Sequence, residues 1–319
     1  MAMTTRLTNG RLVLGTLLMV LILAACQTAA RTLNGFDVSD ASIPADEIFK
    51  GGPPRDGIPA LTDPKYIDPA EASFLSGNDR VMGVMIEGRA HAYPIGIMNY
   101  HEIVNHSTRD SQWLVSYCPL CGTGMVFDAN VDEQALTFGV SGLLYNSDLL
   151  MYDRQTESLW SQIEARAVSG PLKGTELELM PSQLTTWKAW RQQHPDTRVL
   201  SRETGHRRNY DSTPYGNYEE SKTVFFPISE RDDRFHPKAW VIGMTSGNKA
   251  RAWPFEELEA TGKETIRETF DGRSLVIHYD AENRSARITS ETGEEIATTT
   301  GFWFAWHAFH PDTEVFTAD

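Results

Sequence analysis

The sequence predicts an α+β fold, mainly antiparallel β with short helices, in which two fused pseudo-repeats form one compact body. Short runs of β-branched and aromatic residues between Gly and Pro boundaries are the pattern of strands. Val81-Met82-Gly83-Val84 and Ala92-Tyr93-Pro94 return 160 residues later as Val241-Ile242-Gly243-Met244 and Ala252-Trp253-Pro254. Trp187, Ala189-Trp190 and His194-Pro195-Asp196-Thr197 return 116 residues later as Trp303, Ala305-Trp306 and His310-Pro311-Asp312-Thr313. The first copy, about 81–200, therefore holds 44 more residues between these anchors than the second, about 241–316.

Taken in order, Arg6 and Arg11 precede an uncharged apolar run, 12–25, that ends in small residues before Cys26. A positive start, a short apolar core and a small-residue boundary read as a secretory signal. The run is shorter than the ~20 residues that span a bilayer comfortably. With Cys in place of an Ala-x-Ala site, it resembles a bacterial lipoprotein signal. Residues 1–25 would then be removed, Cys26 lipidated and the chain held on a membrane, facing the periplasm or the exterior. Residues 26–47 are polar and small and suit a tether, and the ordered body is expected from residue 48. Each copy then reads as two strands around a Gly turn (81–86 and 89–93 in the first). A helix follows the proline (95–105; 254–261), and then a further strand (113–117; 274–279). Proline at a helix start loses no hydrogen bond. The Trp-x-x-Trp strings place two rings on one helical face, and His-Pro ends those helices, because proline disfavours helical geometry in the residue before it.

Composition excludes several classes. The chain has 319 residues and is 40% hydrophobic, too long and too apolar for disorder. Three cysteines are too few for a disulfide-stapled scaffold. With 29 Lys+Arg against 43 Asp+Glu the net charge is -14, which disfavours nucleic acid as a partner. There is no Gly-rich phosphate loop and no Gly-x-Ser-x-Gly elbow.

Features shared by both copies are most simply scaffold, so chemistry is expected where only one copy has reactive groups. Cys118-Pro119-Leu120-Cys121-Gly122-Thr123-Gly124 occurs in the first copy only, and Tyr279-Asp280-Ala281-Glu282-Asn283 stands near that place in the second. Two thiols at this spacing can cycle between dithiol and disulfide, share a soft metal ion, or form a structural bridge. The flanking runs suggest a strand, a turn and another strand. On the redox reading, which needs no cofactor, Cys118 attacks, Cys121 resolves, and His101 and Glu102 tune protonation. The redox partner would be an unidentified protein or small molecule. On the metal reading, zinc or copper is held by Cys118 and Cys121 with His101 and His106. His101-Glu102 followed by Asn105-His106 is not the His-Glu-x-x-His of zinc proteases. The polar-rich stretch 141–162 is expected to line a pocket, with Tyr145, Asn146, Tyr152, Asp153, Arg154, Ser158, Trp160 and Gln162 as candidate substrate-binding residues.

Several of these strings together carry a resemblance. They are Gly51-Gly52-Pro53-Pro54-Arg55-Asp56-Gly57-Ile58-Pro59, Tyr117-Cys118-Pro119-Leu120-Cys121-Gly122, Ser141-Gly142-Leu143-Leu144-Tyr145-Asn146, and 151–162 from Met151-Tyr152-Asp153-Arg154 to Trp160-Ser161-Gln162. Over residues 48–319 the chain resembles the bacterial domain of unknown function 3179. The resemblance implies no assigned activity. Selenocysteine in the Cys-x-x-Cys-type motif of some members implies redox chemistry, since selenium is the more nucleophilic centre.

Overall fold

The computed structural model describes Met1 and residues 31–318, so the expected export signal and the expected lipidation site, Cys26, lie outside the described residues. In the first unit, β1 (Ile48–Lys50) and β2 (Leu61–Thr62) precede an antiparallel hairpin, β3 (Arg80–Ile86) and β4 (Arg89–Pro94). Helix α1 (Ile95–His101) follows Pro94 directly. It is shorter than the expected 95–105. Glu102 turns to a left-handed φ of 56°, and the β-branched pair Ile103-Val104 starts strand β5 (Ile103–Ser107). Asn105 and His106 therefore stand on a strand and not one helical turn beyond His101. Strands β6 (Gln112–Cys118) and β7 (Thr123–Asp128) complete a meander with β5.

The chain then builds a separate antiparallel layer, β8 (Phe138–Tyr145), β9 (Asp148–Asp153), β10 (Leu159–Ser161) and β11 (Arg166–Ser169), with β1 on its edge. It returns as β12 (Ser182–Thr186) beside β3, enters α2 (Trp187–Gln193), and ends in β13 (Arg198–Leu200), parallel to β4.

The second unit repeats the hairpin as β14 (Trp240–Ser246) and β15 (Lys249–Pro254), then α3 (Phe255–Ala260). A meander follows, β16 (Thr265–Phe270), β17 (Arg273–Asp280) and β18 (Ser285–Ser290), and no separate layer intervenes. Then come β19 (Thr299–Phe302) beside β14, α4 (Trp303–Phe309), and β20 (Glu314–Val315), parallel to β15.

Pairing register in the two units is the same. Gln183 faces Gly83 as Thr299 faces Gly243, and Val199 faces Ala92 as Val315 faces Ala252. Within the meanders the offset becomes 162: Ile103 faces Ser116 as Thr265 faces His278. The two glycines are required by what lies above them. A Cβ on Gly83 would meet the Trp190 ring at 2.3 Å, and one on Gly243 would meet Trp306 at 2.4 Å. Each indole N–H then donates to a threonine, Trp190 to Thr197 at 2.9 Å and Trp306 to Thr313 at 3.0 Å.

Strand β19 joins the units, because it pairs with β14 on one edge and meets β7 on the other, where Gly124 faces Thr300. The result is one large mixed sheet running from β20 to β2. Residues 31–47 do not form a tether. Phe36, Val38 and Ile43 are buried against Leu143, Leu150 and Tyr152 of the separate layer, where their apolar surface leaves water. No helix among the described residues is long and apolar enough to cross a membrane.

Candidate functional site: a buried dithiol and two carboxyls

The site is built by two turns. Cys118 ends β6, and the loop returns to β7 through Gly122 at φ 64°, with Thr123 opposite Cys118. Glycine is required there, since the left-handed backbone disfavours a side chain and a Cβ would meet the Trp240 and Phe302 rings at 3.0 Å. This turn brings Cys118 and Cys121 together as free thiols, 1% and 0% exposed. The second turn, Asn146-Ser147 between β8 and β9, has positive φ at both residues, the tight hairpin geometry that matches strand twist. It aims the Ser147 carbonyl oxygen at the thiols, 3.4 Å from Cys121 Sγ and 4.0 Å from Cys118 Sγ.

Asp148, the next residue, completes the cluster. One of its carboxylate oxygens and both sulfurs lie within 4.8 Å of one another. Oδ2 accepts the Ile163 N–H at 3.2 Å, whereas buried Oδ1 has no hydrogen-bond partner. Glu102 lies beside this group, its Oε1 accepting from the Tyr215 hydroxyl at 3.4 Å.

Burial dominates the protonation of all four groups, because a charge taken from water without a counter-charge is disfavoured. It raises Asp148 to about 7, against the pull of the Ile163 N–H and the thiols. Burial, with the Asp148 charge adding to it, raises Glu102 to about 8. Cys118 is also raised by burial, while the side chain and N–H of Cys121 pull it back. Cys121 is pushed well above the ordinary thiol range, by burial first and then by Cys118. Lys238 is the cation at the edge of the cluster. It is 4% exposed, donates to the Ser221 and Thr223 carbonyls at 3.0 and 2.8 Å, and lies 4.0 Å from the Tyr218 ring centre. Burial lowers it to about 8, against an upward pull from Cys121.

The covering layer is the connector 201–239, irregular apart from one short turn, Tyr218–Glu220. Tyr215, Tyr218, Val224, Phe226 and Ile228 pack into the same apolar cluster as the cysteines, Leu120 and Phe302. Asn146 fixes the connector to the body, accepting the Ser229 N–H at 2.8 Å and donating to Ala308 O at 3.4 Å.

Among the residues expected at the site, Cys118, Cys121 and Glu102 come together. His101 and His106 are engaged elsewhere. His101 Nδ1 donates to Pro59 O at 2.7 Å, its Nε2 meets the Tyr210 hydroxyl at 2.6 Å, and burial lowers its pKa to about 4. His106 Nδ1 faces the Tyr66 and Tyr93 hydroxyls. The carboxyl of Asp148, and neither imidazole, is the third group beside the sulfurs.

The 141–162 stretch forms packed strands, so most of its polar side chains satisfy one another. Asp153 accepts from Thr156 and from the Trp160 indole, and Thr156 meets Ser158. Tyr152 donates to Asp56, Arg154 reaches Thr62, and the Tyr145 ring packs edge-on against Phe309. Gln162 is the exception besides Asn146, because it braces the thiol hairpin. Its Oε1 accepts from Thr123 at 2.7 Å and its Nε2 donates to Ser116 at 2.9 Å. Asp148, Ser147, Tyr215, Tyr218 and Lys238 were not expected at the site. The Asn146-Ser147 turn between two apolar runs was a usable signal for Asp148; nothing near Lys238 marked it.

Comparison with curated proteins and with solved structures finds no match. The profile of the family described as "Protein of unknown function (DUF3179)" matches residues 55–300, which include both turns, Glu102, Asp148 and the connector. The chain belongs to that family.

Proposed function

We propose that the chain is an exported, lipid-anchored thiol/disulfide oxidoreductase in which Asp148 is the proton acceptor of the Cys118–Cys121 pair. The observation that carries the reading is a buried carboxyl within 4.8 Å of both sulfurs, which burial raises to about 7. A base poised near working pH is the one that moves a proton most effectively. Cys118 is the attacking sulfur, because the Cys121 N–H and side chain favour its thiolate. Cys121 is held as a thiol against the Ser147 carbonyl until it resolves.

The exchange balances with a disulfide-bearing partner. Asp148 takes the Cys118 proton as Cys118 Sγ attacks one partner sulfur and expels the other as thiolate. Cys121 Sγ then attacks Cys118 Sγ and expels the second partner sulfur. Both thiol protons end on the reduced partner, and Cys118–Cys121 gains the disulfide that the partner lost. The connector over the sulfurs has to move for a partner to reach them.

Redox titration of the purified chain tests this. The pair is expected to titrate between about -300 and -120 mV, and a potential below about -300 mV, the range of inert structural bridges, overturns the reading. Asp148→Asn should slow exchange with a model disulfide, while the pH at which Cys118 becomes alkylated moves downward, because the Asp148 charge raises that thiol.

The orphaned Asp148 Oδ1 beside two thiols favours a second reading, a zinc or copper(I) centre held by Cys118, Cys121 and Asp148. Two sulfurs and one carboxylate oxygen suit a thiophilic ion and leave a fourth position open. Stoichiometric metal that Cys118→Ser and Asp148→Asn both abolish would establish it, and a metal-free, redox-active protein would remove it.

A further inference from the structure

The shared register of the two units makes three further positions equivalent, and their chemistry is inverted. In the second unit Arg251 donates to Glu314 through Nη1 at 2.9 Å and to Glu268 through Nη2, so a cation is held between two carboxylates. The offsets of 160, 162 and 116 place His91, His106 and Arg198 at these positions in the first unit. A short imidazole stands where the guanidinium stood, and basic groups stand where the carboxylates stood. Tyr66 stands beside both imidazoles, its ring centre 5.4 Å from that of His91 and 4.9 Å from that of His106, and a cleft of about 310 Å³ remains, lined by Asp63, Tyr66, Arg89, His91, His106 and Arg198 among others.

Both imidazoles keep Nδ1 for the protein. His91 Nδ1 donates to Arg89 O at 3.0 Å, since a carbonyl only accepts, and this leaves its Nε2 as a lone pair. His106 Nδ1 lies 2.6 Å from the Tyr66 hydroxyl and 2.9 Å from that of Tyr93. An imidazole nitrogen is a better acceptor than a phenol oxygen, so Nδ1 takes a phenol proton and Nε2 carries the N–H. The rings meet edge to face with centres 4.7 Å apart. Arg198 is oriented by an ion pair with Asp68, in which the two charges offset one another, and by donating to Tyr66 O at 2.8 Å. The Arg89 side chain is exposed and has no hydrogen-bond partner among the described residues.

We infer that this cleft binds a phosphate group, either the free ion or a small phosphate ester. Arg89 supplies the unpaired positive charge, set against the Asp63 carboxylate that also lines the cleft, and Arg198 and the His106 N–H supply donors. The lone pair on His91 calls for an oxyanion that brings a proton of its own, which hydrogen phosphate has and a carboxylate lacks. The site is independent of the thiol chemistry.

The test is a titration of the full-length chain with inorganic phosphate, followed by the histidine ring resonances. His91 and His106 should shift together and saturate. Arg89→Ala, an exposed change that leaves the packing intact, should weaken phosphate by about tenfold, the loss of one charge-assisted contact. Arg251→Ala in the second unit should leave the affinity unchanged. A phosphate ester that competes with the free ion would identify the larger ligand as one that fits. Unmoved rings, an equal response to acetate, a response to zinc alone, or an affinity indifferent to Arg89→Ala would each overturn the assignment.

Discussion

The Cys118–Thr123 and Asp280–Ser285 turns are the same hairpin with different chemistry. Thr123 faces Cys118 as Ser285 faces Asp280, and the residue before the return is left-handed in both, Gly122 at 64° and Arg284 at 43°. In the second unit the Asp280 carboxylate accepts the Asn283 N–H at 3.0 Å and its side-chain amide at 2.7 Å. In the first, the Cys121 N–H and side chain act in the same sense, favouring the thiolate of Cys118. The turn thus provides a donor-to-acceptor grip whichever residues occupy it. The difference lies in the surroundings: Asp280 and Asn283 remain half-exposed, whereas the thiols are closed under the Ser147 carbonyl, Asp148 and the connector.

The equivalence of the scaffolds can be broken most severely at its glycines. Gly83→Ala and Gly243→Ala should each cost about 3 kcal/mol in denaturant unfolding, because the added methyl enters an indole ring. A large cost at one and none at the other would deny that the units are packed alike.

The electrostatic difference is tested by pH. Asp148 and Glu102 have folded pKa values above their unfolded ones, so between the two values the unfolded chain has released a proton that the folded chain keeps. Their contribution to stability therefore falls as pH rises, and levels off above the folded values. From about pH 6.5 to 8 the native chain should lose roughly 2 kcal/mol more than the Glu102→Gln/Asp148→Asn double variant. His91 and His101 titrate alike in both proteins and cancel in this difference. Parallel stability curves for the two would show that the carboxyls are not buried as described.

Transplanting the motif sharpens the comparison further. Asp280→Cys with Asn283→Cys should bring two thiols together in the second turn without the cover. They should be alkylated about a hundredfold faster than Cys118 and Cys121, which wait for an opening costing about 3 kcal/mol. Equal rates would mean that the connector protects nothing. The smallest effect is expected from Asp280→Ala, which removes the grip within a half-exposed turn and should cost about 1 kcal/mol in thermal or denaturant unfolding.

Much of the scaffold was legible because it occurs twice: both offsets found in the sequence reappear as strand registers. The position of α1 was legible but its end was not, because Glu102 is a good helix former and its left-handed turn is set by pairing across β5 and β6. The cysteines stood out by having no counterpart. Asp148 did not, since it is 27 residues from Cys121 and reaches it only through a second hairpin. His101 looked suitable beside the thiols by sequence distance alone, yet its ring is claimed by Pro59 and Tyr210, which no local pattern announces. The pocket expected over 141–162 failed for a related reason. Its polar residues alternate with apolar ones because they lie on buried strands and bond to each other.

Strand β19 carries a consequence for the order of assembly. The Phe302 N–H donates to the Cys121 carbonyl at 2.8 Å, and the Phe302 ring backs Gly122, so the thiol turn is finished by residues that follow it far along the chain. A chain emerging from its amino end has both cysteines in place long before their backing strand exists. Until β19 docks, the thiol turn lacks its backing, and the sulfurs of the growing chain are more open to surrounding oxidants or metal ions than in the folded body.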